Sequence, residues 1–352
     1  MRRGAIFVMK GSFGQLQYRR ITMRIILSVL LFLFIHTGVV NARLSYEITS
    51  YTTEDGLSQR NVNGIMQTKD GYMWFLTRDG MNKFNGYSFK PYKAYPGDNC
   101  SLTTNRIVNV AEDKYGFIWT TTHDGHVFRF DPRTDHFRQI TDKAFQIHVL
   151  QVFDNHVWVV TLDQGLLHMN VTPDDVDIPI DNFSTMHGIS FSERINRTPI
   201  DNQSNSWVLT NNGLYLVKDD IRNPIAFFVE NQNENSTTQS FYNFTESEDE
   251  ILFTSNNGNV WRYNKLEKKF SLLKLPTSSE VTYVFFLSEQ LLFFATSTDG
   301  FMVYNQSTGQ TEHYRSTTHP VLVTNEITHV YMDSHKEMWI QPNCKGIVRF
   351  HP

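Results

Sequence analysis

One feature constrains this chain above the rest: a short pattern that returns seven times. At Trp74-Phe75-Leu76-Thr77-Arg78-Asp79-Gly80, a large apolar anchor is followed by Thr three residues on and by Gly six residues on. The pattern returns at Trp119 with Thr122 and Gly125, at Trp158 with Thr161 and Gly165, and at Trp207 with Thr210 and Gly213. Weaker copies stand at Ile251 with Thr254 and Gly258, at Phe293 with Thr296 and Gly300, and at Trp339 with Pro342 and Gly346. The intervals between anchors are 45, 39, 49, 44, 42 and 46 residues. A steady period of this size signals stacked supersecondary units, each too small to bury its own apolar face.

The surroundings of each copy identify the unit. A short apolar run precedes the anchor, as in Val62-x-x-Ile65 and Ile107-x-x-Val110, and a polar turn separates the two, as at Lys69-Asp70-Gly71 and Asp113-Lys114-Tyr115-Gly116. After the Gly comes a further strand (81–85, 127–131, 214–217, 260–264, 301–305 and 347–350) and, in most copies, another (87–92 and 136–140). Four short strands with Gly turns at a period of 40–45 residues make a β-propeller blade, and no helical periodicity competes. The Trp supplies a wide apolar wedge between blades. Gly80 and Gly125 supply the positive φ of a tight hairpin, and Thr suits a half-buried strand beside it. The seventh copy ends after its third strand, at Phe350-His351-Pro352. A spare strand, Tyr46-Glu47-Ile48-Thr49-Ser50-Tyr51, stands ahead of the turn Glu54-Asp55-Gly56. We expect residues 46–51 to pair with 347–350, closing an all-β, seven-bladed propeller of four-stranded antiparallel blades and removing an open edge.

Residues 1–42 stand apart from this ring. They hold six basic residues and no acidic one, whereas the rest of the chain carries 26 basic against 36 acidic. Arg24 leads an eleven-residue apolar run, Ile25 to Ile35, and small residues follow to Val40-Asn41-Ala42. This order fits a secretory signal peptide cut after Ala42, with Met23 a candidate start because residues 1–22 make the basic region long. The alternative is an uncleaved anchor through 25–42, an uncharged stretch at the lower limit for spanning. The segment 281–295 is broken by Ser288-Glu289-Gln290 and is expected to form two strands. The acidic body excludes a nucleic-acid surface. Two cysteines, Cys100 and Cys344, exclude a disulfide-rich scaffold and a four-Cys zinc site.

The wording of the repeat carries a resemblance. Glu54-Asp55-Gly56-Leu57-Ser58 followed by Asp70-Gly71-Tyr72-Met73-Trp74-Phe75-Leu76-Thr77-Arg78-Asp79-Gly80-Met81-Asn82-Lys83-Phe84-Asn85-Gly86 resembles the two-component regulator propeller repeat. The copy from Ser101-Leu102 through Asp131-Pro132 is nearly as clear, and the third to sixth copies keep only the anchor, Thr and Gly positions. The resemblance implies the periplasmic sensor part of a bacterial hybrid two-component system associated with carbohydrate use. Such sensors are built of two propellers, an immunoglobulin-like domain, a membrane helix and a histidine kinase. It also implies an oligosaccharide ligand and, as partners, a second propeller with transmembrane and kinase parts, or another protomer. This chain shows the first ring and none of the parts that transmit a signal, which suits a fragment, a truncated sensor or a stand-alone relative.

No nucleophile elbow, P-loop, H-E-x-x-H or EF-hand spacing occurs, and no cofactor or metal is implied. His123-x-x-His126 spans a hairpin turn that splays the rings, with no third ligand. The acidic run at 174–181 is expected to be a solvated insertion loop rather than a calcium site. Eight N-x-S/T triplets reflect Asn-rich loops, or glycosylation sites in a eukaryote. Topology places the turns between second and third strands on one face with the links between blades. That face would carry Arg78, Asp79, His123, Asp124, Gln164, Asn211, Asn212, Asn256, Asn257 and Asp299 from the turns, and Arg60, Asn105, Arg106 and Asn325 from the links. These groups can hydrogen-bond a sugar, although turns are polar for structural reasons as well. Arg78, Arg106 and His123 are expected to face the central opening. Cys100 and Cys344 fall on the same face, so a disulfide between blades 1 and 7 is conceivable in an oxidising compartment, with distance against it. The sequence thus points to an exported, non-enzymatic sensory propeller. The competing reading is an exported carbohydrate-active enzyme, a glycoside hydrolase or lyase, with carboxylates from Asp79, Asp124 or Asp299.

Overall fold

The computed structural model describes residues 46–98, 100–175, 177–182, 195–217, 225–227 and 239–352; the export segment expected over 1–42 lies outside them. Within the described residues, 28 strands form seven four-stranded antiparallel sheets. Six sheets follow chain order, so each blade is a simple meander: 62–92, 107–139, 147–182, 195–227, 241–273 and 281–314. The first strand of every blade lies against the first strands of both neighbours, including blade 7 against blade 1, so the ring closes around a central channel.

Blade 7 shows how it closes. Its sheet runs Glu47–Tyr51, Ile347–His351, Met338–Pro342, Ile327–Met332. Glu47 stands opposite His351 and Tyr51 opposite Ile347, as the sequence led us to expect. The donated strand also packs sideways: the Tyr51 ring lies 5.0 Å from Phe84 and 6.1 Å from Trp339, and Tyr46 lies 4.9 Å from Phe350. The chain then turns through a short 3-10 segment, Thr53–Asp55, held by a capping box between Thr52 and Asp55.

The anchors sit on the second strands, and Trp74, Trp119, Trp207 and Trp339 are buried between blades. Trp74 packs with Phe130 and Phe137 of blade 2, and Trp339 with Phe75 and Phe84 of blade 1. Trp158 departs from this: it is half-buried, its ring 4.1 Å from that of His168.

The strands that carry the repeat Thr in blades 1 and 2 are not half-buried as expected but buried along their whole length. Thr77, Thr122, Thr161, Thr210, Thr254 and Thr296 are all buried. The reason is a hydrogen-bonded turn. Thr77 Oγ1 donates to the Gly80 carbonyl at 3.0 Å and accepts the Asp79 N–H at 3.0 Å. Thr210 and Thr296 repeat both bonds. The repeat Gly completes the turn at positive φ, 106° at Gly80 and 72° at Gly300.

A second device went unread in the sequence. Six residues before the Trp, a buried carboxylate organises the turn. Asp113 Oδ2 accepts the Trp119 indole N–H at 2.8 Å, while its Oδ1 accepts the Tyr115 and Phe117 backbone N–H groups. Asp201 does the same for Trp207, and Asp333 for Trp339. In blade 1 the hydroxyl of Thr68 takes this place, 3.3 Å from the Trp74 nitrogen.

Two smaller expectations change. The run 174–181 is not all solvated loop: Asp181–Asn182 forms the fourth strand of blade 3, beside His168 and Leu167, because the blade needs an outer strand there. Asp175 accepts the Thr172 hydroxyl at 2.6 Å, and its carbonyl accepts Arg129 and Arg138. Residues 281–295 do form two strands, Val281–Phe286 and Leu291–Thr296.

Candidate functional site: the loop face and the central channel

Turns and links interlock on one face. The backbone N–H of His123 donates to the Arg106 carbonyl at 2.8 Å, that of Asn256 to Ser240 at 2.8 Å, and that of Asn343 to Glu326 at 2.9 Å. On the other side of each turn, Gly80 donates to Asn105, Gly300 to Asn325 and Gly346 to Arg60, each at 2.9 Å. In blades 6 and 7 both grips fall on one turn: Ser297 donates to Glu280 and Gly300 to Asn325 in blade 6, and Asn343 to Glu326 and Gly346 to Arg60 in blade 7.

This grip consumes much of the candidate set. Asp79 accepts Lys93 Nζ at 2.6 Å and Asn105 Nδ2 at 2.9 Å, while Asn105 Oδ1 accepts the Ala94 N–H at 2.6 Å. Blade 6 repeats the clamp with different residues. Asp299 takes a bidentate pair of bonds from Arg315 at 2.7 and 2.9 Å, His313 lies 3.4 Å away, and Asn325 Oδ1 accepts the Ser316 N–H at 2.7 Å. The Arg315 hydrogen bonds, with the charges of His313 and Arg315, hold the Asp299 carboxyl below the ordinary carboxylate range. Asp124 accepts the Thr122 hydroxyl. Asn256 Oδ1 accepts the Ser240 N–H at 3.2 Å, and Asn257 Oδ1 accepts Ser255 Oγ at 2.6 Å. Asn212 and Gln164 donate their backbone N–H groups to Thr210 and Thr161. Asn211 is exposed in the same turn as Asn212. Asn257 also lines a cleft of about 360 Å³ with Leu273, Thr277 and Glu280.

Three of the candidates remain uncommitted. Arg78, Arg106 and His123 are exposed, and among the described residues their side chains make no hydrogen bond or ion pair. Arg60 has only a 3.9 Å ion pair with the exposed Glu54, a contact of little energetic weight. Cys100 and Cys344 are both exposed and are not joined.

The channel holds a set that the sequence reading missed. In all seven blades the first strand slips by one residue against the second, between its first and third residues. Such a bulge re-aims the residues beside it. The third residues are Gly64, Asn109, Val149, Arg197, Asn243, Tyr283 and His329. Arg197 Nη1 donates to Asn243 Oδ1 at 3.1 Å. Tyr283 donates its hydroxyl to the Thr328 carbonyl at 3.3 Å, and its ring lies 6.4 Å from that of His329. Two residues further along the same strand as His329, Tyr331 Oη accepts the Gln67 N–H at 3.1 Å. Arg197 keeps solvent contact, yet the surrounding protein lowers its guanidinium pKa, as fits a group lining a water-reached passage. Burial, and then the Arg197 charge, lower the His329 pKa, so the imidazole is neutral at neutral pH. The signal that could have found this set is the column two residues after the first apolar residue of each first strand, where polar side chains interrupt an apolar run.

Comparison with known proteins adds a repeat match and a fold. Residues 56–79 match the family model described as two component regulator propeller. Over 78 residues the chain is 41% identical to histidine kinase P4 of Formosa agariphila, a stretch covering 22% of this chain and 6% of that one. The fold is shared with the extracellular domain of a putative one component system from B. thetaiotaomicron (TM-score 0.66, 17% identity, 86% of this chain and 39% of that one). It is shared also with that of a putative hybrid two component system from the same organism (TM-score 0.64, 20% identity, 87% and 42%). Virginiamycin B lyase from Staphylococcus aureus has it too (TM-score 0.63, 12% identity, 88% and 100%). At these identities the structural likeness establishes the fold alone. The chain spans about two fifths of the two B. thetaiotaomicron domains and 6% of the curated kinase.

Proposed function

We propose that this chain, a seven-bladed ring whose first blade carries the two component regulator propeller repeat, is an exported ligand-binding module of a sensor that takes an oligosaccharide on its loop face. One observation carries the reading. The loop-face carboxylates Asp79 and Asp299 are engaged by Lys93, Asn105 and Arg315 in holding the turns, whereas Arg78, Arg106 and His123 point their donors outward without a protein partner among the described residues. A rigid clamp that presents uncommitted donors suits binding, because little order must be gained when a ligand docks. The ligand would alter how this face packs against a second propeller, a kinase-bearing part of the sensor or another protomer.

The test is thermal stability of the purified protein against a panel of plant, host and microbial oligosaccharides, with product formation followed in the same wells. A rise in Tm with one glycan and no turnover is expected. The triple variant Arg78→Ala, Arg106→Ala, His123→Ala should abolish that rise while leaving the unliganded Tm within about 1 °C, since surface substitutions cost little. Undiminished binding by the triple variant would overturn the assignment, and turnover of a glycan would move the protein to the exported carbohydrate-active enzymes.

A further inference from the structure

Arg197 brings a fixed positive charge on a guanidinium fork, of which one N–H goes to Asn243. Among the described residues no carboxylate pairs with it. Tyr331 Oη already accepts a backbone N–H from Gln67, which turns its own proton toward another acceptor, and none is present among the described residues. The ring of His329 makes no hydrogen bond there either, and as a neutral imidazole it carries one N–H. Arg197 of blade 4, Asn243 of blade 5 and His329 of blade 7 stand at equivalent places beside the first-strand bulges, with Tyr331 two residues beyond His329, so seven-fold geometry turns the three bulge residues toward one axis. Tyr283, from the same place in blade 6, spends its proton on the Thr328 carbonyl and adds no charge. A guanidinium at a water-reached axis, with donors around it and no carboxylate partner among the described residues, is a ready site for an anion.

We propose that the central channel binds a small carboxylate, held by the Arg197 fork with the Tyr331 hydroxyl and the His329 N–H. The planar, two-oxygen acceptor matches a guanidinium edge better than any neutral group does. The site is separate from the loop-face donors Arg78, Arg106 and His123, so it stands whether or not an oligosaccharide binds there.

The probe pair is glucuronate and glucose, which differ in one carboxylate, with sulfate as a tetrahedral control, all at equal ionic strength. Titration calorimetry on the intact protein should show glucuronate binding and no heat from glucose. Arg197→Met keeps most of the side-chain volume and should weaken glucuronate about 10- to 100-fold, the effect of losing charge-assisted hydrogen bonds. Its own Tm should hold, because Arg197 is exposed and has no carboxylate partner among the described residues. Tyr331→Phe keeps the ring and should weaken binding about tenfold. The triple loop-face variant should bind glucuronate as the wild type does, which separates this site from the one above. Equal binding of glucose, sulfate binding as tight as glucuronate, or full affinity in a folded Arg197→Met protein would each overturn the proposal.

Discussion

At the scale of single residues, the repeat is a set of hydrogen-bonding devices on an apolar wedge. Removing the carboxylate of Asp113 orphans an indole N–H and two backbone N–H groups in a buried place. Asp113→Ala should therefore cost roughly 3 kcal/mol in urea unfolding, and Thr68→Val, at the same place in blade 1, about 1 kcal/mol. The glycines offer a controlled pair. Gly300 and Gly309 share nearly the same φ, 72° and 73°, but an added Cβ would sit 2.1 Å from the Tyr314 carbonyl at the first and in open space at the second. Gly309→Ala should cost about 1 kcal/mol, the price of the backbone conformation, and Gly300→Ala clearly more, since backbone must move. Trp74, Thr77 and Gly80 were legible because each recurs at fixed spacing. Asp113, Asp201 and Asp333 were in plain view six residues before a Trp, but acidic residues in turns are common, and nothing local marks the one that is buried.

At the scale of elements, the turns, links and first strands divide the labour. The Asp79 and Asp299 clamps fix the links, and the bulged first strands aim side chains at the axis. The Asp299 clamp titrates. Its carboxyl is held below its unfolded value of about 3.9 by Arg315 and His313. The clamp's contribution is therefore complete above that value and is lost as pH falls through the folded pKa. Stability against pH should drop below about pH 4, and Asp299→Asn should lower stability at neutral pH and flatten that acid limb. A variant whose acid limb matched wild type would show that Asp299 contributes nothing to it. Topology made the loop face legible, since turns after second strands must meet the interblade links. It could not separate clamp from ligand group, because Asp79 and Arg78 are adjacent and equally polar, and only their partners differ. The channel set was hidden for another reason: the repeats align on the second strand, and a one-residue bulge displaces the first strand from that frame.

At the scale of the molecule, one strand joins the two ends of the ring. Residues 47–51 complete blade 7 and press Tyr51 between Trp339 and Phe84, so that strand ties the last blade to the first. The count of seven copies and the spare N-terminal strand made this closure legible, because a three-stranded last blade would leave its third strand as an open edge. The fourth strands of blades 3 and 4, Asp181–Asn182 and Ile225–Phe227, are short and were the hardest to see, since two or three residues carry no alternation. The most direct test of closure is native-state amide hydrogen exchange over Glu47–Tyr51, read beside Ile347–His351. The closed ring requires the two strands to share the protection of the blade cores and to lose it together, in the global unfolding step. Exchange of Glu47–Tyr51 at the rate of a free chain, with Ile347–His351 left as an exposed edge, would contradict it.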